Sequence, residues 1–150
     1  VYTALGVRPF VISTDKPWVE QTPTALPLYS ETGESFITWS WSPDGRKLAG
    51  TIVSSYGKPS GVAVYSFDTG EYTKVNSFGG HPVWLSDSRR ILFSDWQTLY
   101  LLDTVNDTCQ VVYSVEPDDL YGFFDLSADD EWIYVARTKT ESDIWMMSVQ

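Results

Sequence analysis

Short runs of β-branched and aromatic residues make up most of this chain, and each run is bounded by Gly, Pro, Asp, Asn or Ser. Within the runs, apolar and polar positions alternate with the period of two that half-buried β-strands require. No segment of ten or more residues repeats its apolar positions with the period of an amphipathic helix. The pattern therefore predicts an all-β protein.

The clearest unit of this pattern lies between residues 36 and 76. Its first two runs are joined by the turn Ser42-Pro43-Asp44-Gly45, in which Pro43 and Gly45 hold the second and fourth positions that a type I turn favours. The unit is predicted to be an antiparallel meander of four short strands: Phe36–Trp41, Arg46–Ser54, Gly61–Phe67 and Glu71–Asn76.

Two further units repeat this order of strands and turns. The turn serines Ser42, Ser86 and Ser127 are interpreted as equivalent, at spacings of 44 and 41 residues. Because their turns lack the Pro and Gly of the first copy, the second and third turns are expected to be looser. The predicted strands are His81–Leu85, Arg90–Ser94, Thr98–Leu102 and Thr108–Ser114 in the second unit, and Tyr121–Leu126, Glu131–Thr138 and Asp143–Val149 in the third.

Four-stranded units that recur every forty-odd residues are typical of β-propeller blades. We therefore predict about three and a half four-stranded antiparallel blades, part of a larger or oligomer-closed propeller. The predicted segments are 1–35 (partial blade and linker), 36–78 (blade), 79–115 (blade) and 116–150 (incomplete blade). Short N-terminal strands are predicted at Val1–Leu5, at Arg8–Ser13 and between Trp18 and Leu28, and in a homo-oligomer that closes the propeller they would complete the last blade.

The alternation also predicts which side chains pack between blades. Counted back from the turn serines, Trp39 and Trp41 share one face with their counterparts in the other units and are expected to pack blade against blade, rather than to form a ligand cage. Trp84 falls on the opposite face, where packing is also expected. Cys109 lies in a predicted strand and is expected to be a small buried thiol.

The charge of the chain limits its partners. The net charge is −10, and residues 101–150 carry −9 of it. A protein that binds nucleic acid or an anionic membrane has the opposite electrostatic footprint, so both partners are disfavoured and a cationic partner is permitted. No run approaches the roughly 18 apolar residues of a membrane span.

Residues that could carry out chemistry are few. With a single histidine, His81, and a single cysteine, the chain lacks the ligands of a typical zinc site, and no Gly-x-Ser-x-Gly elbow or calcium loop is present. The acid pairs Asp118-Asp119 and Asp129-Asp130 are interpreted as turn residues. We therefore predict no cofactor, no metal and no catalytic residue.

Several motifs carry a resemblance to a known family. Trp-Ser-Pro-Asp-Gly-x-x-Leu-Ala at Trp41–Ala49 and Val-x-Val-Tyr-x-x-Asp-x-Gly at Val62–Gly70 resemble the repeats of TolB-like, WD-repeat-like bacterial β-propellers, as does Ser142–Met147. Such repeats are found in periplasmic and signalling proteins and in the C-terminal propeller region of some bacterial serine/threonine kinases, the kind that this chain resembles most. The resemblance covers about residues 36–150 well and residues 1–35 loosely, and implies a β-propeller fold.

The loops on one face of such a propeller are the expected binding surface. Our candidate binding residues there are aromatic or acidic, as suits a peptide, a cationic partner or a sugar: Tyr56, His81, Trp96, Asp118, Asp119 and Tyr121. A non-catalytic module for protein or peptide interaction or ligand sensing is the leading hypothesis. The alternatives are a propeller enzyme acting on glycans or peptides and an accessory domain of a hydrolase.

Overall fold

The computed structural model describes residues 8–30, 33–115 and 119–139, and of residues 119–122 and 137–139 it describes the backbone alone. These residues form short strands and one 3-10 turn at Trp18–Glu20, which confirms the all-β prediction. No helix among them is long and apolar enough to cross a membrane. The strands are β1 (Phe10–Val11), β2 (Thr24–Ala25), β3 (Ser35–Trp41), β4 (Lys47–Val53), β5 (Pro59–Ser66), β6 (Glu71–Asn76), β7 (Gly80–Trp84), β8 (Arg90–Ser94), β9 (Thr98–Asp103), β10 (Thr108–Ser114), β11 (Asp119–Leu126) and β12 (Ile133–Lys139).

The strands form successive antiparallel meanders. The first sheet has the order β3-β4-β5-β6, the second has β7-β8-β9-β10, and β11 pairs with β12 to begin a third. Strands β1 and β2 form a separate pair. The strands predicted at Val1–Leu5 and Asp143–Val149 lie outside the described residues.

Apolar side chains fill the space between consecutive sheets. Strand β7 packs against β3, β4 and β5. One cluster there joins Ala49, Val64, Trp84 and Ile91, and another joins Val62, Phe93 and Leu102. The buried position of Trp84 confirms its predicted packing role. A third cluster, of Leu85, Leu92 and Leu99, packs against side chains of β11 and β12.

The three predicted turns are all present, but the second is one residue away from its predicted position. The N–H of Ser42 donates to the carbonyl of Lys47, and the equivalent bonds run from Leu85 to Arg90 and from Ser127 to Trp132. Leu85 therefore occupies the position assigned to Ser86. The sequence alignment matched Ser86 to Ser42 because both are serines. In the structure, Trp41 and Trp84 are the last paired residues before their turns, so the residues after them, Ser42 and Leu85, are equivalent.

The second and third turns keep the hydrogen bond of the first without Pro or Gly, with somewhat longer donor–acceptor distances. Gly45 has a φ of +73°, and Ser88 and Asp130 adopt +55° and +60° in its place. Each of the three donates its N–H to the carbonyl three residues earlier, at 2.8–3.1 Å. Short polar residues accept this left-handed backbone better than other non-glycine residues do.

Hydrogen bonds also join the turns of neighbouring sheets. The N–H of Asp44 donates to Ser88 Oγ (3.0 Å), and the N–H and hydroxyl of Ser86 donate to the carboxylate of Asp130 (2.9 and 2.6 Å). Within its own turn, Asp129 accepts a hydrogen bond from Ser127 Oγ. The pair Asp129-Asp130 therefore serves turn structure, as predicted.

The segment before β3 covers the outer face of the first sheet. Leu26 is buried there, with Val11 and Tyr29 packed beside it, and Tyr72 Oη donates to the carbonyl of Pro27 (2.9 Å). The expectation that N-terminal strands complete the last blade in a homo-oligomer stays a prediction. In the described chain, Leu26, Val11 and Tyr29 pack on the first sheet, at the opposite end of the array from β11 and β12.

Two predictions of burial are wrong. Trp41 stacks on Phe67, which directly follows β5 of the same sheet, with the ring centroids 5.0 Å apart, and stays 47% exposed. Cys109 is exposed, because β10 lies at the outer edge of the second sheet and all seven of its residues face solvent. The other tryptophan of β3, Trp39, contributes to the site described next.

Candidate functional site

The first strand of each sheet has an irregularity near its middle. The pairing register shifts between Thr38 and Ser40 in β3, between Gly80 and Val83 in β7, and between Tyr121 and Phe124 in β11. Residues in such a bulge lack a partner across the ladder, and bulges re-aim side chains next to binding sites. Among the residues freed in this way are Trp39, His81 and Phe123.

The side chain of His81 lies among three aromatic rings. Its ring centroid is 4.2 Å from that of Trp39, 4.7 Å from that of Trp96 and 6.0 Å from that of Phe123. The contacts with Trp96 and Phe123 are edge-to-face, an arrangement that aromatic pairs favour. The first strands of three sheets and the loop between β8 and β9 thus converge on one imidazole.

The backbone at His81 and at Trp96 is strained. Their φ angles are +55° and +83°, whereas the other non-glycine residues with positive φ in the described ranges are the short polar residues Ser88, Asp107 and Asp130. A left-handed conformation costs on the order of 1–3 kcal/mol for a bulky residue. Hydrogen bonds hold it in place: the N–H of His81 donates to Thr51 Oγ1 (2.9 Å), and that of Trp96 to Ser94 Oγ (2.8 Å).

A pocket opens beside this cluster. It has a volume of about 220 Å³, and we call it the aromatic pocket; its lining residues are Trp39, Ser40, His81, Val83, Phe123, Phe124 and Asp125. Trp39 is 45% exposed and Trp96, behind His81, is 42% exposed. Because both indole rings are only about half buried, they contribute less apolar contact to the core than a buried tryptophan does. Much of their surface is therefore accessible to a ligand.

The electrostatics of the pocket are simple. Burial lowers the pKa of His81, so its imidazole is neutral at pH 7. Asp125 is the charged side chain among the lining residues. Its carboxylate accepts a hydrogen bond from the N–H of Leu126 at 2.8 Å. In the part of the chain that the structure describes, no three His, Cys, Asp or Glu side chains come together as metal ligands.

Acidification from pH 7 to pH 5 is expected to destabilise the protein in part through His81. The unfolded chain keeps the ordinary histidine pKa of about 6.5 and therefore binds the proton more tightly than the folded chain does. Stability from this source is fully present above pH 6.5 and is lost as the pH falls toward the lowered pKa of the folded state. We expect the decrease in Tm over this interval to be roughly 1–2 °C smaller in His81→Asn, because asparagine accepts the left-handed backbone but does not titrate.

Other groups do not obscure this comparison. Asp125, the charged side chain that shares the described pocket lining with His81, is present in both proteins. Hydrogen bonds from Ser42 and Ser127 lower the pKa of Asp44 and of Asp129, so the stability that these carboxylates add is lost below about pH 4. Equal decreases in Tm for the two proteins in thermal melts would contradict the prediction.

The structure brings together two of the predicted site residues, His81 and Trp96. Tyr56 is 91% exposed in the loop between β4 and β5 and does not line the pocket. Asp118 lies outside the described residues. For Asp119 and Tyr121 the structure describes only the backbone, which begins β11 and pairs with β12.

Of the seven lining residues of the aromatic pocket, sequence reasoning named only His81 and missed the others, among them Trp39, Phe123 and Asp125. Trp39 was interpreted as packing between blades, and although its ring does reach His81 of the next sheet, it stays half exposed at the pocket. Trp39 and Phe123 lie in bulges, and Asp125 follows two residues after Phe123. A bulge changes the direction of a side chain without a mark in the alternation pattern, so the sequence signal for them was weak.

Comparisons with known proteins support the propeller architecture. No family model matches the chain. Over 63 residues, 40% of this chain and 14% of the relative, the sequence is 35% identical to the Tol-Pal system protein TolB of Alcanivorax borkumensis. The chain thus spans a small part of that relative's length.

Two solved structures are similar in fold. An oligogalacturonate lyase from Vibrio parahaemolyticus has a TM-score of 0.54 at 17% identity, with 82% of this chain and 34% of that chain covered. An oligogalacturonate lyase in complex with manganese has a TM-score of 0.50 at 16% identity, with 83% and 35% covered. At these identities the likeness establishes the fold alone: the chain has the blades of a partial β-propeller. The resemblance to kinase-attached propellers stays a prediction.

Proposed function

We propose that this chain is a non-catalytic propeller module that binds a protein or peptide, and that the aromatic pocket is its binding site. The observation that carries the proposal is the contact between His81 and Trp96, two ring-bearing residues that both have positive φ. Backbone strain of this kind clusters at ligand sites, where the surrounding structure holds it in place. The half exposure of Trp96 means that core packing alone does not account for it.

The scaffold around the pocket suits binding. The lining residues come from β3, β7 and β11, which are held by their ladders and by the clusters between the sheets. A ligand would therefore meet rings that are already in position, and preorganisation of this kind lowers the entropic cost of binding. Tryptophan is also among the residues that contribute most to protein interfaces.

A propeller enzyme is the second candidate. The neutral imidazole of His81 and the carboxylate of Asp125 line the same pocket, a pair that general acid–base catalysis could use. The two similar solved structures are oligogalacturonate lyases. The proposed module and this enzyme make different predictions for turnover, so one set of variants separates them.

The test combines binding and turnover on the same purified protein. Peptide and glycan arrays would be probed with the wild type, with Trp39→Ala and with Trp18→Ala, a control at an exposed tryptophan outside the pocket. Oligogalacturonate would be incubated with each protein, and the unsaturated product followed by its ultraviolet absorbance. We expect binding to weaken at least about tenfold in Trp39→Ala alone, as is common for a central aromatic anchor, with no turnover by any protein.

Two outcomes would count against the module. Array binding that survives Trp39→Ala at an unchanged Tm would place the binding site elsewhere. Turnover by the wild type that His81→Asn abolishes would favour the enzyme.

A further inference from the structure

The charge of the aromatic pocket has one sign. Asp125 is the charged residue of the lining, and no lysine or arginine belongs to it. The ion pairs found among the described residues, Arg46–Asp68, Arg89–Asp103 and Arg90–Asp87, do not include Asp125. Among the side chains that the structure describes, no basic group is paired to the carboxylate of Asp125, in a chain whose net charge is −10.

The rings of the pocket add to this negative potential. The face of an indole or a phenyl ring carries partial negative charge and attracts a cation within about 6 Å of the ring centre. Trp39 and Phe123 both line the pocket and both are more than a third exposed. Because burial lowers the pKa of His81, the imidazole in the described lining adds no positive charge that would oppose a bound cation near pH 7.

Few polar side chains belong to the described lining of the pocket. Its polar side chains are Ser40, His81 and Asp125, and Ser40 Oγ already accepts the N–H of Trp84 at 3.1 Å. A primary ammonium carries three N–H donors that each need an acceptor, and a sugar carries several hydroxyls. An alkylated ammonium keeps the positive charge but replaces these donors with methyl groups that pack on rings.

We propose that the aromatic pocket binds an alkylated ammonium group, such as the head of a methylated lysine on a partner protein. The inference rests on the proposed function, because it names the chemistry that the same pocket recognises. Trp39 and Phe123 contact the methyl groups, and Asp125 supplies the formal negative charge.

The experiment uses a pair of small probes that differ in charge but hardly in shape. Choline carries a trimethylammonium head, and 3,3-dimethyl-1-butanol is its neutral carbon counterpart. Each would be titrated into the purified protein, and the indole N–H signals followed by NMR, with Trp39→Ala and Trp96→Phe used to assign them. We expect choline to shift the signals of Trp39 and Trp96 and to bind at least about fivefold more tightly than the alcohol, as a cation–π contact of about 1 kcal/mol implies.

Two variants test the roles of the charge and the ring. Asp125→Asn is expected to weaken the binding of choline about threefold to tenfold and to leave the affinity for the alcohol unchanged. Trp39→Ala is expected to abolish the binding of choline. Asp107→Asn, in the exposed turn between β9 and β10, removes the same charge outside the pocket and should leave choline binding unchanged. Thermal melts of all variants would show that each is folded.

Each remaining outcome overturns the inference. Equal affinity for the two probes, or choline binding that Asp125→Asn does not weaken, would mean that charge is not recognised. If choline does not bind, but a neutral peptide or glycan from the arrays binds to the wild type and not to Trp39→Ala, the proposed function stands and the inference is wrong. If Trp39→Ala weakens the binding of no probe and no array ligand, both the proposed function and the inference are wrong.

Discussion

Phe93→Ala is expected to lower the free energy of unfolding by about 3–5 kcal/mol, as large-to-small changes of a buried phenylalanine do. Phe93 lies on β8, is 0% exposed, and packs with Val62 and Leu102 in the cluster that joins the first two sheets. Its ring also stacks on that of Tyr100 at 5.2 Å. Removal of the ring leaves a cavity between the first and second sheets. Because strand pairing holds each sheet in shape, the neighbouring residues can relax only a little to fill the cavity.

Urea denaturation of the variant and the wild type would measure this loss. Phe10→Ala is the matched control, because Phe10 is 61% exposed and the same change there should cost less than about 1 kcal/mol. A loss for Phe93→Ala no greater than for Phe10→Ala would show that the contact between the sheets is not a main source of stability.

Gly61→Ala is expected to destabilise the protein by about 3 kcal/mol or more, since it combines backbone strain with a steric clash. Gly61 lies in β5, opposite Ile52 of β4, with a φ of +139°, a conformation open almost only to glycine. A Cβ atom at this position would lie 2.1 Å from the carbonyl oxygen of Asn76. Relief of that contact requires β6 to move away from β5, which would break the edge of the first sheet.

Gly57→Ala separates the two causes. Gly57 also has positive φ, at +76°, but a Cβ atom there would meet no other atom within 4 Å. We expect this change to cost about 1 kcal/mol, from backbone strain alone. Denaturation curves for both variants would give the difference, and equal losses would contradict a role for the clash with Asn76.

The strands were predictable because their signals are local. Alternation, β-branched residues and turn residues place every described strand from β3 to β12 within two residues of its predicted bounds. The alignment of the second unit failed because it matched side chains, whereas the hydrogen bond from Leu85 to Arg90 shows that the backbone sets the equivalence. Cys109 was misjudged for a related reason, since a strand pattern does not reveal which strand lies at the edge of a sheet.

The site was predictable only in part. His81 and Trp96 could be named as aromatic residues near expected loops, and the structure places their rings in contact. Their positive φ angles and the bulges of β3, β7 and β11 depend on how neighbouring sheets pack. No pattern of residues in the sequence predicts either feature. Trp39 illustrates this limit, because its place in the alternation suggests interior packing and only the bulge turns it toward the pocket.

The bulges have a consequence for how such a module could diversify. A residue inside a bulge has no partner across the ladder, so its identity is not constrained by strand pairing. Exchange of Trp39 or Phe123 would change what the pocket recognises while Phe93, Gly61 and the bonds between the turns keep the sheets in place. Related propellers could therefore acquire new ligands through a few substitutions at these positions, without new loops and without a change of scaffold.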